Sequence, residues 1–125
     1  MEFSKALTVT SSALRAQAAR LRHVSENISN ADTPGYRRKL VSFESDANSH
    51  GVSLGRVQLD TKEPSRIHDP SHPLADESGH YYGSNVDLMI EIADAREAQR
   101  SYEANLKMFD QVRQMSSSLF DLLRK

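Results

Sequence analysis

The sequence predicts a mainly α-helical protein, in which long N- and C-terminal helices pair as an antiparallel coiled-coil-like hairpin beside a small irregular or β-containing middle segment. Residues 3–28 repeat a seven-residue apolar pattern, and the last 40 residues contain no glycine or proline. All nine glycine and proline residues lie between positions 34 and 83. We therefore expect three segments: an N-terminal helix and turn (1–35), a middle β/loop element (36–84) and a C-terminal helix (85–125).

The first helix is predicted at about residues 4–29. Two heptad positions form its apolar stripe: Leu7, Leu14, Leu21 and Ile28 at one, and Phe3, Thr10, Gln17 and Val24 at the other. Alanines flank the stripe, so a second helix could approach closely. Asn30, Thr33, Pro34 and Gly35 should end this helix, because proline lacks an amide donor and glycine accepts a left-handed turn.

The middle segment has short β-favouring stretches at Leu40 to Phe43, Val52 to Leu59 and Tyr81 to Tyr82. Glycines and prolines separate these stretches, and large apolar residues are few. A small hairpin module, or a loop that orders against partners, fits better than an independent domain.

The second helix should follow a cap at Ser84 or Asn85, with Asp87 near its positive dipole end. Its predicted stripe shortens one step from four residues to three after Phe109, which implies a local change of supercoil. That stripe contains Leu88, Ile92, Ala95, Gln99, Tyr102, Leu106, Phe109, Val112, Ser116, Leu119 and Leu123. The two helices would be roughly 40 and 55 Å long, which predicts a rod-like shape with a small core.

Composition excludes several classes of function. The net charge of -1 disfavours bulk nucleic-acid binding, and the absence of cysteine excludes disulfides and thiol chemistry. The N-terminus does not read as a cleaved signal peptide, and no stretch reads as a membrane span. Residues 1–39 carry a net charge of +4 and residues 40–85 a net charge of -4. Arg37, Arg38 and Lys39 are thus either a solvated strand start or a contact to the acidic segment of a neighbouring copy.

The residues offer little for catalysis. His68, His72 and His80 lie near acidic residues, but prolines interrupt the segment and the helical spacing of a zinc site is absent. The sequence also lacks a phosphate-binding loop and a nucleophile elbow. We expect no enzyme activity, no cofactor and no bound metal.

Two motifs near the N-terminus carry a family resemblance. Residues 12–21 read SALRAQAARL and residues 25–38 read SENISNADTPGYRR. This pattern resembles the N-terminal signature of bacterial flagellar basal-body rod and hook proteins. HPLAD at 72–76, with Gly79, and NVD at 85–87, leading to RSYEAN at 100–105, resemble the short proximal-rod members of that family.

The resemblance implies a structural subunit of the flagellar basal body. Such a subunit is exported by the flagellar apparatus without a cleaved signal peptide. It spans the periplasm, polymerises helically with itself and other rod proteins, and adjoins the membrane-ring base and the export apparatus. The alternatives are another short rod subunit, a soluble helical-hairpin adaptor that binds one partner helix, or, with least support, a metal-dependent hydrolase.

The predicted site residues are therefore assembly residues. Those of the N-terminal motif are Leu14, Gln17, Leu21, Asn27, Ile28, Asn30, Ala31, Thr33, Gly35 and Tyr36. Those of the C-terminal helix are Leu88, Ile92, Tyr102, Asn105, Leu106, Phe109 and Leu119.

Overall fold

The computed structural model describes residues 2–48 and 50–124, so the predicted segment ends at residues 1 and 125 lie outside the described residues. In the sequence, two long helices flank six strands of two or three residues each. In chain order the elements are α1 Glu2–Ser29, β1 Lys39–Leu40, β2 Phe43–Ser45, β3 Val52–Leu54, β4 Gln58–Leu59, β5 Arg66–His68, β6 His80–Tyr82 and α2 Leu88–Leu123. The predicted mainly helical fold with a small β-containing middle is confirmed.

The helices form an antiparallel hairpin. Asn27 near the end of α1 bonds Glu91 near the start of α2. Leu7 lies beside Phe109, and Phe3 beside Leu119, near the other end.

The face that α2 turns toward α1 differs from the predicted stripe. Its buried and half-buried positions include an unbroken alternation of four- and three-residue steps: Glu91, Ala95, Ala98, Tyr102, Asn105, Phe109, Val112, Ser116 and Leu119. The step from Phe109 to Val112 belongs to this regular alternation, so the predicted local change of supercoil there is wrong. It arose from including Leu88, Ile92 and Leu106, which are 46%, 46% and 42% exposed.

The core between the helices is small, as predicted. Among the described residues, its buried apolar side chains are Ala16, Val24 and Ala98. Ala98 is fully buried, so the helices approach on small side chains rather than on interlocking leucines. The buried Thr10 hydroxyl donates to the Ala6 carbonyl at 2.9 Å, which satisfies it within its own helix.

The middle segment consists of two hairpins. In the first, residues 38–60, β1 pairs antiparallel with β4 and β2 with β3. Between the two pairs, the Gly55 amide donates to the Ser42 carbonyl at 2.7 Å. This hairpin lies back along α1, where the Val52 amide donates to Ser12 Oγ at 3.0 Å. It covers part of the surface of α1 that α2 leaves free.

The second hairpin, residues 65–84, pairs β5 with β6 antiparallel. Strand β5 was not predicted, because Arg66 and His68 flank its single apolar residue and hide any strand signal. Gly79, in its loop, has a φ of 79°, and a Cβ there would lie 3.0 Å from His68 and Pro70. The position is therefore suited to glycine.

The start of α2 corrects the predicted cap. Asp87 is the N-cap, and its side chain accepts from the Met89 amide at 3.0 Å. Ser84 and Asn85 are buried before the helix and bond other segments. Among the described residues, neither helix is apolar enough over a sufficient length to cross a membrane.

We predict that Ala98→Leu destabilises the helical hairpin by about 1–3 kcal/mol, because the added side chain has no space at a fully buried position. Urea unfolding followed by circular dichroism measures this. The matched control is Ala104→Leu, at an exposed position of the same helix, which should change stability by less than about 0.5 kcal/mol. Equal effects of the two substitutions would contradict the close approach of the helices.

Candidate functional site

One cluster of polar side chains lies where the helices and the first hairpin meet. We call this the polar cluster, and its members are Asn27, Tyr36, Arg38, Asp60, Asn85 and Glu91. It joins the end of α1, the base of the first hairpin and the start of α2. Polar groups at such depth are stable only when they are bonded, so this cluster specifies how the segments meet.

Glu91 is the deepest member, with no exposed surface. It lies in the first turn of α2, where the helix dipole favours a negative charge. Its Oε1 accepts from Arg38 Nε at 2.6 Å, and its Oε2 accepts from Asn27 Nδ2 at 3.3 Å. A buried carboxylate is costly unless it is paired in this way.

Asn27, 1% exposed, uses all of its amide hydrogen-bonding capacity. Nδ2 donates to Glu91 and, at 3.1 Å, to the Lys39 carbonyl. Oδ1 accepts from the Lys39 amide at 2.9 Å and from the Tyr36 hydroxyl at 2.8 Å. The side chain thus pairs with the Lys39 backbone as a neighbouring strand would. An aspartate here would lose both donors.

Asn85 plays the matching part at the start of the C-terminal segment. Its Oδ1 accepts from the Arg38 amide at 2.7 Å. Its Nδ2 donates to the carbonyls of Asp60 and Lys62 at 3.0 and 3.1 Å. The preceding Ser84 hydroxyl donates to the Ala31 carbonyl. Both ends of the first hairpin are thereby tied to the chain that enters α2.

Ion pairs extend the polar cluster along the helices. Arg38 also contacts Asp60 at 3.3 Å and Asp94 at 3.6 Å. Asp94 in turn contacts Arg20 at 3.6 Å, and the Arg20 guanidinium lies 5.8 Å from the centre of the Phe43 ring. One line of charges therefore connects α1, α2 and the first hairpin.

These contacts shift the pKa values of several groups. Burial would lower the pKa of Arg38, but its bond to Glu91 and that carboxylate's charge outweigh burial, so the pKa is raised. The Lys62 amide and Arg38 lower the pKa of Asp60. The hydrogen bond from Lys39, 2.7 Å long, lowers the pKa of Glu26 and raises that of Lys39. Burial raises the pKa of Tyr36. Every one of these shifts favours the form that makes the observed hydrogen bond.

The turn after α1 contains several of the predicted motif residues. Asn30 Nδ2 donates to the Glu26 carbonyl at 2.9 Å, and its Oδ1 accepts from the Thr33 hydroxyl at 3.1 Å. Gly35 has a φ of 75°, and its amide donates to the Gly83 carbonyl at 3.2 Å. The predicted helix-ending role of this segment is confirmed, and the turn also anchors the second hairpin.

The remaining N-terminal motif residues lie apart from the polar cluster. Leu14, Gln17, Leu21 and Ile28 are half-buried along α1, as is Ala31 just after it, and Thr33 is exposed. Gln17 Oε1 is buried and accepts no hydrogen bond from the described residues. Among the C-terminal residues, Tyr102, Asn105, Phe109 and Leu119 face α1, whereas Leu88, Ile92 and Leu106 face outward.

Sequence reasoning missed four members of the polar cluster: Arg38, Asp60, Asn85 and Glu91 as bonding partners. Arg38 was considered either solvated or a contact to a neighbouring copy, yet its partners lie in its own chain. Lys39 likewise pairs with Glu26, and of these three basic residues only Arg37 is exposed. Glu91 at an inward helical position was the available signal, since a lone acid in a stripe needs a cation.

The histidine segment shows ring packing. His68 and His80 lie 4.6 Å apart between ring centroids, and the His72 ring stacks on Tyr81 at 3.8 Å. Within residues 2–48 and 50–124 no group of three or more potential ligands is arranged to hold a metal ion.

Two known families match parts of this chain. Residues 7–37 match the family described as Flagella basal body rod protein. Residues 77–122 match Flagellar basal body rod FlgEFG protein C-terminal. The matches include most of α1 with its turn and nearly all of α2, together with Asn27, Tyr36, Asn85 and Glu91 of the polar cluster.

Three proteins that are similar to this chain over most of their length carry one name. A protein from Agrobacterium fabrum is 42% identical, with 97% of this chain and 95% of that protein covered. One from Salmonella typhimurium is 34% identical, covering 86% and 87%, and one from Bacillus subtilis is 32% identical, covering 80% and 84%. Each is named Flagellar basal-body rod protein FlgC. The resemblance inferred from residues 12–38 is confirmed.

We predict that Arg38→Met destabilises the protein by about 3–5 kcal/mol, because it leaves the Glu91 carboxylate buried without a cation. Chemical unfolding measures this, and the double variant Arg38→Met/Glu91→Met should recover most of the loss. Arg22→Met is the control and should cost less than about 0.5 kcal/mol, since Arg22 is exposed on α1. A double variant as unstable as Arg38→Met alone would contradict the pairing.

We also predict that stability falls on acidification. Glu26 and Asp60 have pKa values below the ordinary 4.5 and 3.8, so the folded state binds their protons less tightly than the unfolded state. Their contribution is therefore complete above about pH 5 and is lost as pH falls through the folded pKa values. Thermal melts between pH 7 and pH 3 measure this, and Glu26→Gln/Asp60→Asn should show a smaller drop than wild type. An identical drop in both proteins would contradict the assignment.

Proposed function

We propose that this chain polymerises helically into a torque-transmitting shaft around an export channel. The chain belongs to the FlgC family of flagellar basal-body rod proteins and is a structural subunit of that rod. The family consists of structural, non-enzymatic proteins. Function in this family therefore depends on contacts between subunits, which need surface that the internal fold leaves exposed.

The exposed apolar side chains of α2, which lie on both sides of its line of contact with α1, support the proposal most strongly. Ten large apolar side chains of α2 are exposed: Leu88, Met89, Ile90, Ile92, Leu106, Met108, Met115, Phe120, Leu122 and Leu123. A monomeric soluble protein seldom leaves so many large apolar groups along one element in water. Such exposed apolar surface is typical of a region that becomes buried on assembly.

Helix α1 shows the opposite pattern. Among the described side chains of α1, no large apolar group is exposed. One side of α1 packs on α2, and another lies under the first hairpin, where Val52 bonds Ser12. The intramolecular fold thus uses the apolar surface of α1 and leaves that of α2, so we assign subunit contact mainly to α2.

Assembly supplies the stability that a single hairpin lacks. Burying apolar surface yields about 25 cal/mol per Å², and each side chain covered on α2 adds to this. Binding to the folded form also shifts the folding equilibrium toward it. Neighbouring copies can therefore stabilise one another through a surface that the internal packing of each copy does not use.

We extend the proposal to the partners and place of this subunit. Its neighbours would be further copies, other rod proteins, the membrane-ring base and the export apparatus, and the rod would cross the periplasm. Within the subunit, α1 and α2 would form the wall of the shaft and residues 36–84 an outer or connecting element. Peptide mass spectrometry of purified hook-basal bodies tests this placement. Absence of the chain from them, with recovery in a soluble one-to-one complex, would favour an adaptor instead.

We predict that Leu106→Gln/Met115→Gln abolishes incorporation into basal bodies and motility while the monomer stays folded. Both side chains are exposed, at 42% and 51%, so removing their apolar surface affects contacts between copies more than internal packing. Motility assays and basal-body composition measure the effect. Lys107→Gln is the control at a neighbouring exposed position and should behave as wild type. Normal motility of the double variant would reject the role of this exposed apolar surface.

A further inference from the structure

The loop of the second hairpin holds a leucine in solvent. Residues 69–79, here the acidic loop, connect β5 to β6, and Leu74 at its centre is 63% exposed. The Leu74 amide donates to His72 Nδ1 at 3.1 Å, and the Ala75 amide donates to the His72 carbonyl at 3.0 Å. Because the His72 ring stacks on Tyr81, the leucine is positioned in advance and would lose little entropy on binding.

Negative charge surrounds this leucine. The acidic loop contains Asp69, Asp76 and Glu77 and no lysine or arginine. Asp69 and Asp76 accept hydrogen bonds from the hydroxyls of Ser71 and Ser78 at 2.7 and 2.6 Å, which keeps both pKa values low, that of Asp76 at about 2. Arg66 contacts Asp76 at 3.4 Å, but Glu77 has no ion pair among the described residues.

The acidic loop lies at the free end of its hairpin. The opposite end is fixed near the turn after α1, where the Gly35 amide bonds the Gly83 carbonyl and the Ser65 amide bonds the Ser84 carbonyl. The register from Arg66↔Tyr82 to His68↔His80 carries the chain away from that anchor. Leu74 is therefore presented away from the turn that anchors its hairpin.

A groove on α2 has the complementary character. Met89, Ile92 and Ala93 form its apolar floor, and Met89 is 81% exposed. Arg96 and Arg100 line it as well, and neither forms an ion pair with the described residues. Glu97, the one acid of the groove, contacts Arg20 at 3.5 Å. The groove thus offers an apolar surface beside two unpaired cations.

We propose that this groove receives Leu74 and the acidic loop of a second copy of the chain, with Glu77 facing Arg96 and Arg100. This inference rests on the proposed function and deepens it by naming one contact between subunits. The two surfaces differ, so the contact is heterologous, and repeated heterologous contacts produce an open helical array when the rotation does not close a ring. The contact would give the polymer its direction.

Cysteine cross-linking tests the contact directly, because the chain contains no cysteine. Leu74→Cys and Met89→Cys, each at an exposed position and one carrying an affinity tag, are produced together in cells that lack the native protein. Purified basal bodies that contain both variants should yield a tagged–untagged disulfide dimer on mild oxidation. Glu103→Cys, on an exposed part of α2 outside the groove, replaces Met89→Cys in the control and should yield at least about tenfold less dimer.

Charge exchange provides a second test. Arg96→Glu on the Met89→Cys chain should lower the dimer yield about tenfold, and Glu77→Arg on the Leu74→Cys chain should restore it. A chain that enters basal bodies but gives no dimer above the Glu103→Cys control would overturn this inference and leave the proposed function intact. Absence of the unsubstituted chain from basal bodies would overturn both.

Discussion

The burial of the Glu91 carboxylate is the constraint on which the rest of this structure depends. A charge without solvent must be compensated, and among the described residues only the side chains of Arg38 and Asn27 bond it. Arg38 belongs to the chain between α1 and β1, and Asn27 to α1. Satisfying one side chain of α2 therefore positions three segments at once. Few other contacts could do so, since the buried apolar core among the described residues consists of two alanines and a valine.

This arrangement suits a subunit whose remaining surface binds neighbouring subunits. Directional polar contacts set how the helices and hairpins meet, and small side chains such as Ala98 allow a close helical pair. Large apolar groups are then not needed inside and remain exposed on α2. A protein that buried those groups in its own core would be more stable alone but would have less apolar surface to bury on assembly.

Periodicity was sufficient to predict the two helices as an antiparallel pair, and the residues Asn30 to Gly35 were sufficient to predict the end of α1. It was insufficient for the face of α2, because Leu88, Ile92 and Leu106 satisfy an apolar heptad as well as the true inward line does. That line contains Glu91, Ala98 and Asn105, which a search for large apolar residues passes over. The partners of Arg38 could not be read from the sequence either, since Asp60 and Glu91 lie 22 and 53 residues further along the chain. Asn27 was recognised through its motif, but its four bonds required the fold.

Native-state hydrogen exchange tests most directly whether the polar cluster unites these segments. The Lys39 amide donates to Asn27 and the Arg38 amide to Asn85, so their exchange reports on the polar cluster itself. If the account is right, both amides exchange with the same opening free energy as the central amides of α1 and α2, and Arg38→Met lowers all of them together. Exchange of the Arg38 and Lys39 amides well before those of the helices, unaffected by that substitution, would contradict it.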